Sequence, residues 1–320
     1  MMERLLTLDE IKWVTVGTLD LKEEDGVLHF YKCTPKQTEA FFALSAGLGE
    51  RSLTTSGVRL DLVTDARSLR FTPMTAGKYS AEVDGLLCLA ADAEAGKPLT
   101  LPLPAGEHRV TLWLPSHSVG TLSSEIVLRD TAVLRPYRAR VRLLMIGDSL
   151  TQGWNSGLDT EAYAPVLCRA LDAHSVIQGI GGAYYHRTVF DPEIPYQPSL
   201  VTVAYGTNDF NHYKTVKEAI AEARAMLTAV KETYGRGRVA VILPPPRRDA
   251  NMTAMGEFAE YRRALAGVTR ELDLFTVDGY ELLPQMEEVY ADSVHPNALG
   301  FAIMARRLEV ILKKQFFFLR

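Results

Sequence analysis

Three short segments carry the residue types that acyl-transfer chemistry needs. Gly147-Asp148-Ser149 follows an apolar run from Val141 to Ile146. Gly206-Thr207-Asn208-Asp209 follows a second run, Leu200 to Ala204, and Asp292-Ser293-Val294-His295-Pro296 stands just ahead of the last helical stretch. A serine hydroxyl attacks a carbonyl only when a base takes its proton. His295 has a carboxylate three residues before it, Asp292, and one local turn can bring the two together, so that the acid fixes the tautomer and stabilises the imidazolium. Charge developing on the carbonyl oxygen calls for hydrogen-bond donors. The candidates are the Ser149 N–H, an N–H in the turn Gly179-Ile180-Gly181-Gly182, and the Asn208 side-chain amide. Each segment taken singly also has a plainer reading, as a helix cap or a tight turn. The surroundings of Ser149 are not G-x-S-x-G, because Thr151 occupies the last position, so the nucleophile elbow of the α/β-hydrolases is not the pattern. Among the other histidines, His186 and His212 are kept as pocket candidates, while His29, His108, His117 and His174 are assigned to surface or packing.

Taken together, the order of these blocks resembles that of the SGNH (GDSL-type) hydrolases. Gly147-Asp148-Ser149-Leu150 resembles the first block, Gly182 in QGIGGA the second, Gly206-Thr207-Asn208-Asp209 the third and Asp292-Ser293-Val294-His295 the last. The similarity runs from about Val141 to Lys314. It implies an α/β fold, a three-layer α/β/α flavodoxin-like domain, with neither metal nor organic cofactor. It implies Ser149 as nucleophile, His295 as base and then acid, Asp292 as the group that orients His295, and Ser149, Gly182 and Asn208 as oxyanion donors. The second block departs from the family: Gln178 stands near where asparagine is common, and Gly181 where serine is common. The choice between Gly181 and Gly182 therefore stays open, with Gly182 preferred.

The elements that must position these residues fall into two halves. Up to about residue 135 the apolar period is two: Val58, Leu60 and Leu62 alternate with Arg59 and Asp61, and Tyr79, Ala81, Val83 and Val110, Leu112, Leu114 do likewise. Such half-buried strands, with hairpin dipeptides at Asp25-Gly26 and Asp84-Gly85, predict a β-sandwich, jelly-roll-like accessory domain over residues 1–135. Thr34, Pro35 and Gln37 form the signature of one helix start within it. From residue 136 to 320, short apolar strands (141–146, 176–177, 200–204, 239–243, 275–277) alternate with helical stretches (about 161–171, 215–233 and 255–272, and from 297), the signature of a doubly wound catalytic domain. A sandwich ahead of an SGNH domain is similar in arrangement to the family-2 carbohydrate acetyl esterases. This makes a short-chain, acetyl ester on a carbohydrate the expected substrate. A lysophospholipase or thioesterase, or a glycan-binding protein with little turnover, are the alternatives.

Composition is that of an ordinary globular chain of 320 residues, 47% hydrophobic and 23% charged, with a net charge of −4. This gives no reason to expect nucleic acid or an anionic membrane as a partner. Three scattered cysteines argue against a disulfide framework or zinc site, and no signal peptide or membrane span is seen, so the cytoplasm is the expected compartment. Asp148, Trp154, Tyr184, Tyr185 and Phe210, all beside the motif blocks, are the expected substrate-pocket residues. Arg247 and Arg248 are read as solvated or as meeting an anionic group, and Phe316 to Leu319 as docking on the domain or at a subunit contact of a homo-oligomer.

Overall fold

The structure, a computed structural model, describes residues 2–250 and 253–319. Five strands, Val141–Gly147, Ala173–Gly179, Leu200–Ala204, Val239–Ile242 and Phe275–Val277, form one parallel sheet in the spatial order second, first, third, fourth, fifth. That is the flavodoxin-like doubly wound order. Its strands are nearly all apolar because both faces are covered. Leu144 and Ile146 pack on one side with the helices Val216–Tyr234 and Phe258–Glu271, while Leu143 and Met145 pack on the other with Tyr163–Ala170 and Ala298–Gln315. The capping box that Thr215 and Glu218 suggest is formed at the first of these helices. The order of strands reverses between the first and third, so a crevice opens beyond their carboxyl ends. The Gly147-Asp148-Ser149 and Gly206–Asp209 segments lie there.

The first half is built from antiparallel ladders. One sheet runs Leu134–Pro136, Arg59–Thr64, His108–Trp113, Gly77–Val83, Leu86–Ala93. A second runs Glu3–Leu5, Val127–Arg129, Ser68–Phe71, Leu99–Pro102, and a third Thr121–Ser123, Val27–Tyr31, Asp20–Glu24. Residues from all three, among them Leu28, Leu69, Ala81 and Leu112, share one apolar core. Asp25-Gly26 and Asp84-Gly85 turn two of the hairpins with φ of 50°, 78° and 51°, 81°. Positive φ at both central residues is the type I′ requirement that Asp-Gly meets.

The halves are less separate than the change of rhythm suggests. The helices Pro35–Leu44 and Ala46–Ser52 place Phe41 and Leu48 in the same core as Ile146, Val176 and Tyr184 of the second half. The strand Arg59–Thr64 is buried along its whole length, against the expected alternation. Arg59 and Asp61 face the second half, and Arg59 Nη2 donates to the Ala173 carbonyl at 3.2 Å. Periodicity marks which face is apolar, but not what covers the other face. A helix at Leu8–Val14, closed by a Thr7–Glu10 capping box, was not expected. At the chain end Phe316 and Leu319 are buried, with Phe316 edge-on to Phe275, whereas Phe317 and Phe318 are exposed.

Candidate active site

Ser149 begins a one-turn helix, Ser149–Gln152, immediately after the first parallel strand, with Asp148 as its cap. The turn is tight. A Cβ on Gly179, at the end of the neighbouring strand, would come within 2.3 Å of the Gln152 nitrogen, so the helix seats on the sheet only because that position is glycine. The third motif segment sits at the adjoining strand end. His295 arrives from the far end of the chain, on the loop that Asn297 closes by capping Ala298–Gln315.

The loop brings three side chains into line. Ser149 Oγ lies 2.8 Å from His295 Nε2, and His295 Nδ1 lies 2.8 Å from Asp292 Oδ2. A carboxylate only accepts, so Nδ1 carries the proton toward Asp292 and Nε2 presents its lone pair to the serine hydroxyl. The other Asp292 oxygen accepts the backbone N–H groups of Val294 and His295, each at 2.7 Å. Partial burial pushes the Asp292 carboxyl up, but the N–H groups of His295 and Val294 and the imidazole outweigh it and hold the acid below the usual carboxylate range.

The donor candidates differ in what already holds them. Gly181 N–H is taken by Gln152 Oε1 at 2.7 Å. Gly182, at φ +81°, makes no hydrogen bond from its N–H among the described residues, and neither does Ser149. Asn208 gives one amide hydrogen to the Ala183 carbonyl at 2.9 Å, which leaves its second.

Beneath the nucleophile lie two buried acids. Asp148 Oδ1 accepts the Leu150 N–H at 3.0 Å, and Oδ2 has no partner among the described residues. Burial pushes its carboxyl up to about 7. Burial also raises Asp209 well above the usual range, although it accepts the Tyr185 N–H. Both are therefore supports inside the fold, and Asp148 is not a pocket wall.

The expected pocket divides in two. Trp154 is half-buried, its ring stacked 6.2 Å from that of His295, and it lines a cleft of about 890 Å³ between the halves. Lys78 and His117 enter this cleft from the first half, Asn155, Asp159 and Ala291 from the second. Tyr185 and Phe210 are fully buried. They point into the apolar core, where Phe210 meets Phe258 at 5.1 Å and Tyr185 meets Tyr205 at 5.5 Å. Adjacency to a motif did not place them in the cleft: Ala183, Tyr184 and Tyr185 are buried in succession, and Asp209 and Phe210 open a one-turn helix that turns both inward. Tyr184 is nearly buried and stacks on His212 at 3.7 Å between ring centres, while His186 is only half-buried and bonds Thr188 through Nδ1. Arg247 is not a solvated arginine. Its buried side chain donates to the Thr207 carbonyl at 2.7 Å and pairs with Asp249, bracing the third motif loop. Arg248 pairs at the surface with Glu287.

Lys78, Asp159 and Ala291 in the cleft escaped the sequence reading, which assigned His117 to surface or packing. So did three residues that hydrogen-bond to the motif blocks. Asn155 donates to Asp292 Oδ2 at 2.8 Å. Gln152 accepts from Gly181 N–H and Trp154 Nε1 and donates to the Ser116 carbonyl and Thr54 Oγ1, so its whole amide is used. Arg51 reaches the Gly181 carbonyl at 3.0 Å. No spacing signals any of them, since their partners lie 29 to 137 residues away, apart from the Gln152–Trp154 contact.

By sequence, no curated protein matches the chain. Among solved structures it is similar to the salicylyl-acyltransferase SsfX3 of a tetracycline biosynthetic pathway, at 20% identity and a TM-score of 0.83, over 98% of this chain and 97% of that one. It is also similar to a family two carbohydrate esterase from Cellvibrio japonicus (17% identity, TM-score 0.69, all of both chains). A third is a family two carbohydrate esterase from Clostridium thermocellum in complex with cellohexaose, at 18% identity and a TM-score of 0.68, over 82% of this chain and 94% of that one. At these identities the likenesses establish a common fold. Residues 145–303 match the GDSL-like Lipase/Acylhydrolase family, and that span holds every member of the Ser149, Asn208, Asp292 and His295 constellation. The chain thus carries a domain of the GDSL-like lipase/acylhydrolase family and is a carboxylic-ester hydrolase.

Proposed function

We propose that the protein is a serine esterase that removes short acyl groups, acetyl foremost, from a carbohydrate or related polyol. The observation that carries this reading is the unbroken relay from Ser149 through His295 to Asp292, with 2.8 Å at each step. Ser149 Oγ attacks the acyl carbon while its proton passes to His295 Nε2. The oxyanion is held by the N–H groups of Ser149 and Gly182 and by the Asn208 amide. Gly182 rather than Gly181 takes this role because the Gly181 N–H is already spent on Gln152. His295 returns the proton to the departing alkoxide as the C–O bond breaks, and Asp292 steadies the imidazolium throughout. Water, deprotonated in turn by His295, adds to the acyl-enzyme, and collapse releases the acid and restores Ser149.

The substrate class draws on the cleft between the halves. Lys78, His117, Ser118, Asn155 and Asp159 line it together with the apolar Trp154 ring, Pro115 and Ala291, which offers polar partners for a hydroxylated alcohol beside an apolar face. Family two carbohydrate esterases share the fold. The sheets of the first half, read as a β-sandwich, supply one wall of this cleft.

Hydrolysis of p-nitrophenyl acetate, butyrate and octanoate by wild type and Ser149→Ala tests the proposal. Turnover that favours acetate and falls by about 10⁴-fold or more in the variant supports it. Preference for octanoate would instead favour a lipase or thioesterase role, and equal rates in both proteins would remove Ser149 from the mechanism.

A further inference from the structure

The peptide unit joining Gly181 to Gly182 is gripped from outside the catalytic half. Arg51, on the helix Ala46–Ser52, donates from Nη1 to the Gly181 carbonyl at 3.0 Å. The C=O and N–H of one trans peptide unit point in opposite directions. A carbonyl drawn toward Arg51 therefore turns the Gly182 N–H away from it. The preceding unit is held as well, by Gln152 Oε1 on the Gly181 N–H at 2.7 Å. This restraint is needed locally. Two adjacent glycines offer little intrinsic resistance to rotation of the unit between them, and Gly182 sits at φ +81°.

Arg51 is free to serve this purpose. It has no carboxylate within ion-pair distance among the described residues, and its guanidinium carbon lies 5.9 Å from the Trp154 ring. A Cβ on Gly182 would lie 3.2 Å from Nη1, so the cation stands directly beside the turn. A charged donor on the carbonyl also polarises the peptide, which makes its N–H a stronger donor.

We propose that Arg51 is a positioning residue for the oxyanion site: its hold on the Gly181 carbonyl aims the Gly182 N–H at the substrate carbonyl. The first half of the chain, outside the matched residues 145–303, thereby completes the catalytic device rather than only covering it. The inference rests on the esterase reading above.

The test compares p-nitrophenyl acetate kinetics of wild type, Ser149→Ala, Arg51→Met, Arg51→Lys and Arg51→Ala, with thermal unfolding of each. The expected result for Arg51→Met is a kcat about 10- to 100-fold lower, with KM within about twofold of wild type. Arg51→Lys, which can still donate to the carbonyl, recovers part of the loss, and millimolar guanidinium chloride partly restores Arg51→Ala. Unchanged kcat in folded Arg51→Met overturns the proposal. So does a loss confined to KM, which would make Arg51 a direct substrate contact. If Arg51→Met fails to fold, Arg51→Lys and the guanidinium rescue decide, and absence of both partial recovery and rescue counts against it. If wild type shows no Ser149-dependent turnover, the esterase reading itself has failed, and this inference falls with it.

Discussion

Asn155 donates its side-chain amide to the same Asp292 oxygen that holds the His295 imidazole, both at 2.8 Å. Asn155 does so from a left-handed backbone, φ +65°, a conformation that asparagine tolerates better than most residues. The carboxylate is thus fixed by three N–H groups besides the imidazole, two from its own loop and one from the segment after the nucleophile. Asn155→Gly keeps the backbone and removes the amide. A lost hydrogen bond to a charged group, exposed as this one is, corresponds to about 1.5 kcal/mol, so kcat for p-nitrophenyl acetate should fall about tenfold. Wild-type kcat in this variant would show that the loop alone orients Asp292.

Gly182→Ala strains a left-handed residue by about 1–2 kcal/mol and presses its methyl toward Arg51 Nη1. Both stability and kcat should drop. Gly85→Ala is the control: Gly85 has the same φ, +81°, and open space around it. It should lose similar stability in urea titration with kcat intact. Equal kcat in the two variants would refute a role for the Gly182 turn in turnover.

Gln152→Leu conserves volume but leaves three buried or half-buried polar partners unmatched, those of Gly181, Trp154 and Ser116, while Thr54 Oγ1 keeps Lys32 and the Arg51 carbonyl. With each orphaned group costing about 1–3 kcal/mol, a loss of several kcal/mol is expected in chemical denaturation, accompanied by a fall in kcat. A change below about 1 kcal/mol would mean that these groups find other partners.

Asp148 sets a pH dependence of stability. Its carboxyl is raised from 3.8 to about 7, so between those values the folded chain keeps a proton that the unfolded chain has lost. Stability from this group is complete below about pH 4 and is lost as the pH rises through about 7, by an amount on the order of a few kcal/mol. Asp148→Asn can still accept the Leu150 N–H and carries no charge. The decline in urea midpoint between pH 5 and 8 should flatten in this variant, and an identical slope in both proteins would contradict the buried-acid assignment.

Much of the architecture could be read locally. Parallel strands buried on both faces show as almost wholly apolar runs, as in Val141 to Ile146, where only Arg142 is charged and exposed, and the Thr34 and Thr215 boxes mark helix starts within a residue. Asp-Gly turns record positive φ directly. These signals are legible because backbone hydrogen bonding and side-chain direction follow from neighbours a few positions apart.

Sequence by itself determined the alternation of strands and helices, the turns, and the identity and order of Ser149, Asn208, Asp292 and His295. Tertiary structure decided what those residues meet. Ser149 and His295 are 146 positions apart and touch because strand order places both at one crevice. Whether Tyr185 and Phe210 faced core or cleft, whether Arg59 and Asp61 met solvent or the other half, and that Arg51, Gln152 and Asn155 converge on the site all depended on packing between distant segments. A local pattern records the preference of a side chain for apolar or polar surroundings. Which surface supplies those surroundings is settled only when the whole chain closes.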